Sequence, residues 1–202
     1  MRTGLPLLLV LAAAAAIVAF VAARPAGRTA AQAPPASSVL LVGDSLNVGV
    51  EPYLRELLAG WTVETDDQVG RQTAVGLERL RAHASSLPPY VVVSLGTNDP
   101  DLPGESFRAA VREALGLAGP RRCVVWAALY RADDADERLN AVLREEAKRN
   151  EALRLVDWDG IVGADERALA PDGLHGSPEG YRERARAIVA ALRACYDAGI
   201  TR

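Results

Sequence analysis

The feature that most constrains the fold is an almost continuous apolar run in the middle of the chain, Tyr90–Leu95. Such a run is typical of a central strand in a parallel sheet, because helices cover both faces of that strand. Four other segments have the composition of short strands, and helical spacing of apolar residues alternates with them along the chain. The five predicted strands are Ser38–Gly43, Trp61–Thr65, Tyr90–Leu95, Cys123–Leu129 and Leu153–Val156. This alternation predicts one α/β domain with a five-stranded parallel sheet and helices on both faces.

The helices are predicted from apolar spacing and from signals at their ends. They cover Ser45–Leu58, Thr73–His83, Glu105–Leu117, Asp133–Asn150 and a last helix that ends at about Tyr196. In the second helix, the predicted buried face consists of Val75, Leu77, Leu80 and Ala84, and His83 is predicted to lie on the surface. A long loop is predicted between the fifth strand and Ser177, which is a suitable cap for the last helix.

The N-terminal part of the chain differs in composition from the rest. The uncharged run 5–23 is longer than a signal-peptide core of about 7–15 residues and close to the ~20 residues that span a bilayer. A cleaved signal peptide and an uncleaved membrane anchor both remain open for residues 1–23, and both place the domain outside the cytoplasm. Residues 24–37 are rich in Ala, Pro and Ser, which predicts a linker. The folded domain is expected to occupy residues 38–202.

The charge of the chain argues against nucleic-acid binding. The chain has 23 Lys and Arg residues against 26 Asp and Glu, and residues 1–33 contain arginines but no acids. The folded domain is therefore acidic and lacks the basic footprint of nucleic-acid-binding proteins. Most of its arginines lie among acids on predicted helices, as in Glu51–Arg55 and Arg182–Arg186, which predicts solvated helix faces.

The chain has two cysteines, Cys123 at the start of the fourth strand and Cys195 in the last helix. An isolated pair is often bridged in an oxidising compartment, and a helix packed beside that strand could bring the two sulfurs together. A Cys123–Cys195 disulfide is the favoured expectation, and two buried free thiols are the alternative. No Cys/His cluster suggests a metal site, so neither a metal nor a cofactor is expected.

Residues suited to catalysis lie directly after the carboxyl ends of three predicted strands. Ser45 follows the first strand, Gly70 the second and Asn98 the third. The carboxyl ends of parallel strands form the edge at which ligands bind in such sheets. Ser45 begins a helix whose N-terminus favours an oxyanion, and Gly43 permits a tight turn before it. This position suits a nucleophile, although an ordinary helix cap is the alternative.

A serine nucleophile needs a base and a group that orients the base. His175 lies just before the last helix, and Asp172 precedes it by three residues. At that spacing the carboxylate can accept a hydrogen bond from one imidazole nitrogen while the other nitrogen faces a serine. The alternative is an Asp turn beside a solvated histidine. The N–H of Gly70 and the amide of Asn98 could stabilise an oxyanion, or could belong to ordinary loops.

Taken together, four short blocks resemble those of the SGNH, or GDSL-like, hydrolase superfamily, in their usual order. They are Gly43-Asp44-Ser45-Leu46, the Gly70 loop, Gly96-Thr97-Asn98-Asp99 and Asp172-Gly173-Leu174-His175. The resemblance covers the chain from about Ser38 to the C-terminus and implies a catalytic domain. The implied fold is a three-layer α/β/α sandwich with flavodoxin-like strand order. Gly176 departs from the proline that often follows the family's histidine.

The resemblance also implies a role for each of five residues. Ser45 is the implied nucleophile, His175 the base and Asp172 the residue that orients it. The N–H groups of Ser45 and Gly70 and the side chain of Asn98 form the implied oxyanion hole. The chemistry implied is that of a metal-independent serine esterase, and extracytoplasmic members are often carbohydrate or lipid esterases.

The expected function is therefore an extracytoplasmic serine esterase that cleaves a small-molecule, glycan or lipid ester through an acyl-enzyme. An O-acyltransferase, in which a sugar hydroxyl replaces water, would need the same residues. A non-catalytic binding module of the cell envelope is an alternative from another class, although binding alone does not need the complete set. We expect a monomer without a nucleic-acid partner that touches the membrane only through its N-terminal segment.

Overall fold

The core of the protein is a five-stranded, entirely parallel β-sheet. The computed structural model describes Pro35 and residues 37–131 and 136–201. The strands are β1 (Ser38–Gly43), β2 (Thr62–Asp67), β3 (Tyr90–Ser94), β4 (Cys123–Ala127) and β5 (Leu153–Val156). They are arranged in the order β2-β1-β3-β4-β5. The predicted α/β class and the flavodoxin-like strand order are therefore confirmed.

Helices cover both faces of the sheet. They are α1 (Ser45–Leu57), α2 (Thr73–His83), α3 (Gly104–Ala118), α4 (Glu137–Arg149), α5 (Trp158–Ala164) and α6 (Pro178–Asp197). One hydrophobic core lies between the sheet and α2, α3 and α4, and the other between the sheet and α1 and α6. The structure is thus the expected three-layer sandwich.

Strand β3 shows why a continuous apolar run occurs in the centre of the sheet. All of its residues are buried. Val91 and Val93 belong to the core under α2, α3 and α4, whereas Val92 belongs to the core under α1 and α6. Successive side chains of a strand point to opposite faces, so a strand covered on both sides must be apolar throughout.

The segment after β5 is more regular than predicted. It contains α5 and a short 3₁₀ helix, Glu166–Ala168, where a long loop was expected. The Asp157 side chain caps α5 by accepting a hydrogen bond from the Gly160 N–H at 3.2 Å, and Trp158 and Val162 are buried. A helix of two turns is too short to produce a clear apolar period, which is why the sequence pattern did not indicate it.

Helix α2 has the predicted bounds, but its buried face is rotated. Leu77 and Leu80 are buried as expected, whereas Val75 is 42% exposed, so its predicted burial is wrong. The helix approaches the sheet through Gly76, where a Cβ would lie 2.4 Å from the side chain of Leu95. This close approach turns Val75 outward.

The expected disulfide is present between Cys123 in β4 and Cys195 in α6. Their Cα atoms are 6.0 Å apart, and the bridge joins residues 72 positions apart in the sequence. It therefore ties the last helix to the sheet. The predicted signal or anchor segment, 1–23, lies outside the described residues. In the part of the chain that the structure describes, no helix is long and apolar enough to cross a membrane.

Candidate active site

Ser45 is the first residue of α1, at the carboxyl end of β1. Asp44, not Ser45, is the cap of this helix: its side chain accepts a hydrogen bond from the Leu46 N–H at 3.0 Å. The hydroxyl of Ser45 is therefore available for other partners. As the first residue of a helix, Ser45 also has an N–H with no acceptor within the helix.

Gly43 precedes this turn because no side chain fits there. A Cβ at Gly43 would lie 2.7 Å from Nδ2 of Asn47 and 2.8 Å from the carbonyl oxygen of Ser94. Its φ is not among the positive values of the described glycines. The requirement is therefore close packing rather than a left-handed backbone.

The structure brings Ser45, His175 and Asp172 into one hydrogen-bonded chain. His175 Nε2 lies 2.9 Å from Ser45 Oγ, and His175 Nδ1 lies 2.7 Å from Asp172 Oδ2. Hydrogen bonds from the His175 side chain and from the N–H groups of Leu174 and His175 lower the pKa of Asp172 to about 2. Asp172 is thus a carboxylate acceptor at neutral pH, which places the imidazole proton on Nδ1. Nε2 can then accept the hydroxyl proton of Ser45.

The segment that carries His175 is held by its own backbone. The Ala170 N–H donates to the carbonyl oxygen of His175, and the Ser177 N–H donates to that of Ala168, each at 2.8 Å. Gly173 has φ +70°, which permits the turn between Asp172 and His175. Ser177 then caps α6 by accepting from the N–H of Gly180, as predicted.

Gly176 has a structural reason to differ from the family's usual proline. A Cβ at Gly176 would lie 2.9 Å from the ring of Tyr181, which is partly buried against the core under α1 and α6. The aromatic ring therefore occupies the space that a proline ring would need.

Gly70 and Asn98 lie at the same edge of the sheet. Gly70 has φ +73° in the turn after β2, and no described residue accepts a hydrogen bond from its N–H. Nδ2 of Asn98 donates to the carbonyl oxygen of Arg71 at 3.1 Å and lies 3.3 Å from Oδ2 of Asp44. The amide of Asn98 thus bridges the Gly70 turn and the cap of α1. That these groups form an oxyanion hole stays a prediction.

Charged residues that the sequence did not indicate hold the Gly70 turn. Arg71 is buried, and its Nη2 lies 3.0 Å from Oδ1 of Asp66. Oδ2 of Asp66 accepts from Arg79 at 2.9 Å and contacts Nε2 of His83 at 2.8 Å. Although burial acts in the opposite direction, hydrogen bonds from His83 and the two arginines lower the pKa of Asp66. His83, which was predicted to lie on the surface, is partly exposed, and its pairing with Asp66 was not predicted.

A second unpredicted contact links α2 to the loop of Asn98. The N–H and the hydroxyl of Thr73 both donate to Oδ2 of Asp99, at 2.8 Å and 2.7 Å. Asp99 thus acts as a cap for α2 from a different loop.

A buried arginine lies behind the nucleophile turn. Nη2 of Arg184, in α6, donates to the hydroxyl of Ser94 at 3.0 Å, and that hydroxyl donates to Oδ1 of Asp44 at 3.0 Å. Burial lowers the pKa of Arg184 to about 10, so the side chain remains a cation at neutral pH. Burial also raises the pKa of Asp44, although the Leu46 N–H and the charge of Arg184 act against it.

The prediction of solvated arginines on α6 is right for two residues and wrong for one. Arg182 and Arg186 are on the surface, paired with Glu179 and Glu183 respectively. Arg184 is buried, with its guanidinium carbon 5.1 Å from the ring centroid of Trp158. The available signal was helical spacing, because position 184 falls on the apolar stripe of α6.

The candidate site is open to solvent. The side chain of Asp172 is 52% exposed and that of His175 is 36% exposed. In the part of the chain that the structure describes, no group of His, Cys, Asp and Glu side chains could hold a metal ion.

Comparison with known sequences links the chain to acyl-transfer enzymes. The pattern of the GDSL-like Lipase/Acylhydrolase family matches residues 41–183. The chain is 28% identical over 165 residues to the peptidoglycan O-acetyltransferase OatA of Listeria monocytogenes. It is also 28% identical over 166 residues to YrhL of Bacillus subtilis, provisionally named as the same kind of enzyme. The match to OatA covers 77% of this chain and 23% of OatA. The match to YrhL covers 78% of this chain and 24% of YrhL, so the chain spans about a quarter of the length of each relative.

Comparison with solved structures shows the same fold. The C-terminal catalytic domain of OatA from Streptococcus pneumoniae, solved with a methylsulfonyl adduct, has a TM-score of 0.67 and 20% identity. The match covers 80% of this chain and 96% of that one. A family 3 carbohydrate esterase from Clostridium thermocellum has a TM-score of 0.63 and 20% identity, with 79% and 98% covered.

Proposed function

Since the chain belongs to the GDSL-like Lipase/Acylhydrolase family, we propose that it is a serine ester hydrolase that acts outside the cytoplasm, with Ser45 as its nucleophile. The observation that carries this proposal is the hydrogen-bonded chain from Ser45 through His175 to Asp172. Such a chain is the arrangement that activates a serine hydroxyl.

In the first half of the reaction, Ser45 Oγ attacks the ester carbonyl carbon while Nε2 of His175 takes the hydroxyl proton. The charged carboxylate of Asp172 stabilises the imidazolium that forms. The tetrahedral oxyanion is stabilised by the N–H groups of Ser45 and Gly70 and by the amide of Asn98. The bond from Asn98 to Asp44 is the longer of its two, so it is the one we expect to be exchanged for the oxyanion.

In the second half, the tetrahedral intermediate collapses and His175 protonates the departing alcohol. The acyl group remains on Ser45 as an ester. Water, deprotonated by His175, then attacks this ester and releases the acid. The same oxyanion donors serve both halves.

The substrate that we propose is a short acyl ester, such as an acetyl group, on a glycan of the cell envelope. The names of the relatives, peptidoglycan O-acetyltransferases, support a glycan. The exposure of His175 and Asp172 supports access by a large substrate. The disulfide supports an oxidising compartment. In this proposal residues 38–202 are the catalytic domain, 24–37 a linker and 1–23 a signal peptide or anchor.

The second candidate function is O-acyl transfer, which the names of both relatives favour. The acyl-enzyme at Ser45 would be the same, and a sugar hydroxyl would replace water in its discharge. Hydrolysis and transfer therefore differ only in the acceptor that reaches Ser45.

The test is hydrolysis of nitrophenyl esters of increasing chain length by the protein and by its Ser45→Ala and His175→Ala variants. We expect turnover that is highest with acetate and lost in both variants. Adding a chitooligosaccharide acceptor distinguishes the two candidates, because a transferase forms acetylated sugar and a hydrolase forms acetate. If the parent protein hydrolyses every ester no faster than the two variants do, both proposed activities are wrong. The remaining alternative is then a non-catalytic binding module.

A further inference from the structure

Asp67 and Asn47 connect two parts of the candidate active site. Asp67 is the last residue of β2 and directly precedes the turn that contains Gly70. Asn47 is in the first turn of α1, two residues after Ser45. Nδ2 of Asn47 donates to Oδ1 of Asp67 at 3.1 Å. The pair therefore joins the helix of the proposed nucleophile to the turn of a proposed oxyanion donor.

Each residue of this pair has a buried oxygen without a partner. They are Oδ1 of Asn47 and Oδ2 of Asp67, and both are acceptors when Asp67 is ionised. Leaving a buried acceptor without a donor costs free energy, so such atoms are rare in folded proteins. One proton on Asp67 supplies the missing donor. The neutral acid can then donate to the Asn47 carbonyl while still accepting from the Asn47 amide.

Burial and two nearby acids favour the neutral form of Asp67. Asp44 at the cap of α1 and Glu51 on the next turn of α1 are acids, and Arg71 in the turn is the cation that faces it. Arg71 is already paired with Asp66. Burial raises the pKa of Asp67 to about 7; the Asn47 hydrogen bond and Arg71 oppose this shift, and the two acids add to it.

We propose that Asp67 is a positioning residue, which as a neutral acid pairs with Asn47 through two hydrogen bonds and holds the Gly70 turn against α1. This proposal rests on the ester hydrolysis proposed above. Ionisation of Asp67 removes one hydrogen bond and places a negative charge beside the turn that must stabilise an oxyanion. Turnover therefore falls when Asp67 loses its proton.

The first test is the pH dependence of kcat/KM for nitrophenyl acetate in the protein and in its Asp67→Asn variant, from about pH 5 to about pH 9. The Ser45→Ala variant measures the background hydrolysis. An amide at position 67 reproduces both hydrogen bonds of the neutral acid but cannot ionise. We expect the variant to lose the alkaline fall that the parent shows. An alkaline fall that is the same in both proteins would overturn the proposal.

A second variant removes a charge near Asp67 without changing either Asp67 or Asn47. Glu51→Gln removes an acid that disfavours ionisation of Asp67, so the alkaline fall should move to lower pH. Glu56→Gln is the matched control, because Glu56 lies on the same helix and is exposed. Equal profiles in the Glu51 and Glu56 variants would contradict the role of Asp67.

A third measurement does not depend on catalysis. Because the pKa of Asp67 is raised, the folded protein holds this proton more tightly than the unfolded chain does. The free energy of unfolding therefore decreases as the pH rises from the ordinary pKa of an aspartate, 3.8, to about 7. The Asp67→Asn variant avoids this loss, and its Tm should exceed that of the parent by more at about pH 8 than at about pH 5. A Tm difference that is the same at both pH values, or a variant that does not fold, contradicts the proposed pairing of neutral Asp67 with Asn47. If the parent hydrolyses no ester while this Tm pattern appears, the proposed function fails and the neutral pair stands.

Discussion

At the scale of single residues, the proposed chemistry depends on the hydrogen-bonding state of His175. Asp172 accepts from three donors, the imidazole and two backbone N–H groups. It therefore remains a carboxylate down to about pH 2. The imidazole is held in the tautomer that leaves Nε2 free to accept from Ser45.

Replacing Asp172 by Asn should lower kcat by roughly 10³–10⁴-fold with little change in KM. The amide keeps the size of the side chain, but its N–H group favours the wrong imidazole tautomer. Steady-state kinetics on nitrophenyl acetate measure the effect. Asp165→Asn is the control, because Asp165 is an exposed aspartate that pairs with Arg167. Similar kcat values in the two variants would remove Asp172 from the mechanism.

At the scale of secondary structure, α6 couples the loop of His175 to the turn of Ser45. The helix begins just after His175, and its buried Arg184 reaches Asp44 through the hydroxyl of Ser94. The loops of Ser45 and His175 are thus connected through the core as well as by the direct Ser45–His175 contact.

Replacing Arg184 by Met should destabilise the fold by about 3–5 kcal/mol, because it leaves the buried Asp44 without a compensating charge. The pKa of Asp44 would rise further, so the loss should be greater at about pH 8 than at about pH 5. Urea unfolding at the two pH values measures this. Arg186→Met removes only surface pairs and should cost less than about 1 kcal/mol. Equal losses in the two variants would show that Arg184 contributes no more than a surface arginine.

The secondary structure was predictable where the local pattern is strong. The bounds of α2 and β5 agree with the prediction, and the blocks around Ser45 and His175 lie at the expected edge of the sheet. The burial of Arg184 was missed although position 184 falls on the apolar stripe of α6, because an arginine among acids on a helix is typical of a solvated face. The charged contacts of Asp66 join residues from a strand, a turn and a helix, and no local pattern specifies such a set.

At the scale of the whole molecule, the disulfide joins the sheet to the last helix, which begins beside the candidate active site. Both cysteines are fully buried, Cys123 at the amino end of β4 and Cys195 near the end of α6. The bridge therefore lies far along the helix from His175.

Replacing both cysteines by Ala should lower the free energy of unfolding by about 4 kcal/mol, the value expected for a loop of this length. It should leave kcat at 25 °C unchanged, because the site residues do not contact the bridge. Thermal unfolding and ester hydrolysis of the same sample test both expectations. A large loss of kcat in a folded, less stable variant would indicate that the bridge positions α6 for catalysis.

The central step of the proposed mechanism is the transfer of the acyl group to Ser45 during turnover. The protein is mixed with nitrophenyl acetate, quenched in acid during the steady state and digested, and the peptide that contains Ser45 is analysed by mass spectrometry. We predict an acetyl group on Ser45 in the parent protein. The Ser45→Ala variant should show neither this acetylation nor turnover. Undiminished hydrolysis by Ser45→Ala, or acetylation of a different residue that turns over with the ester, would contradict the account.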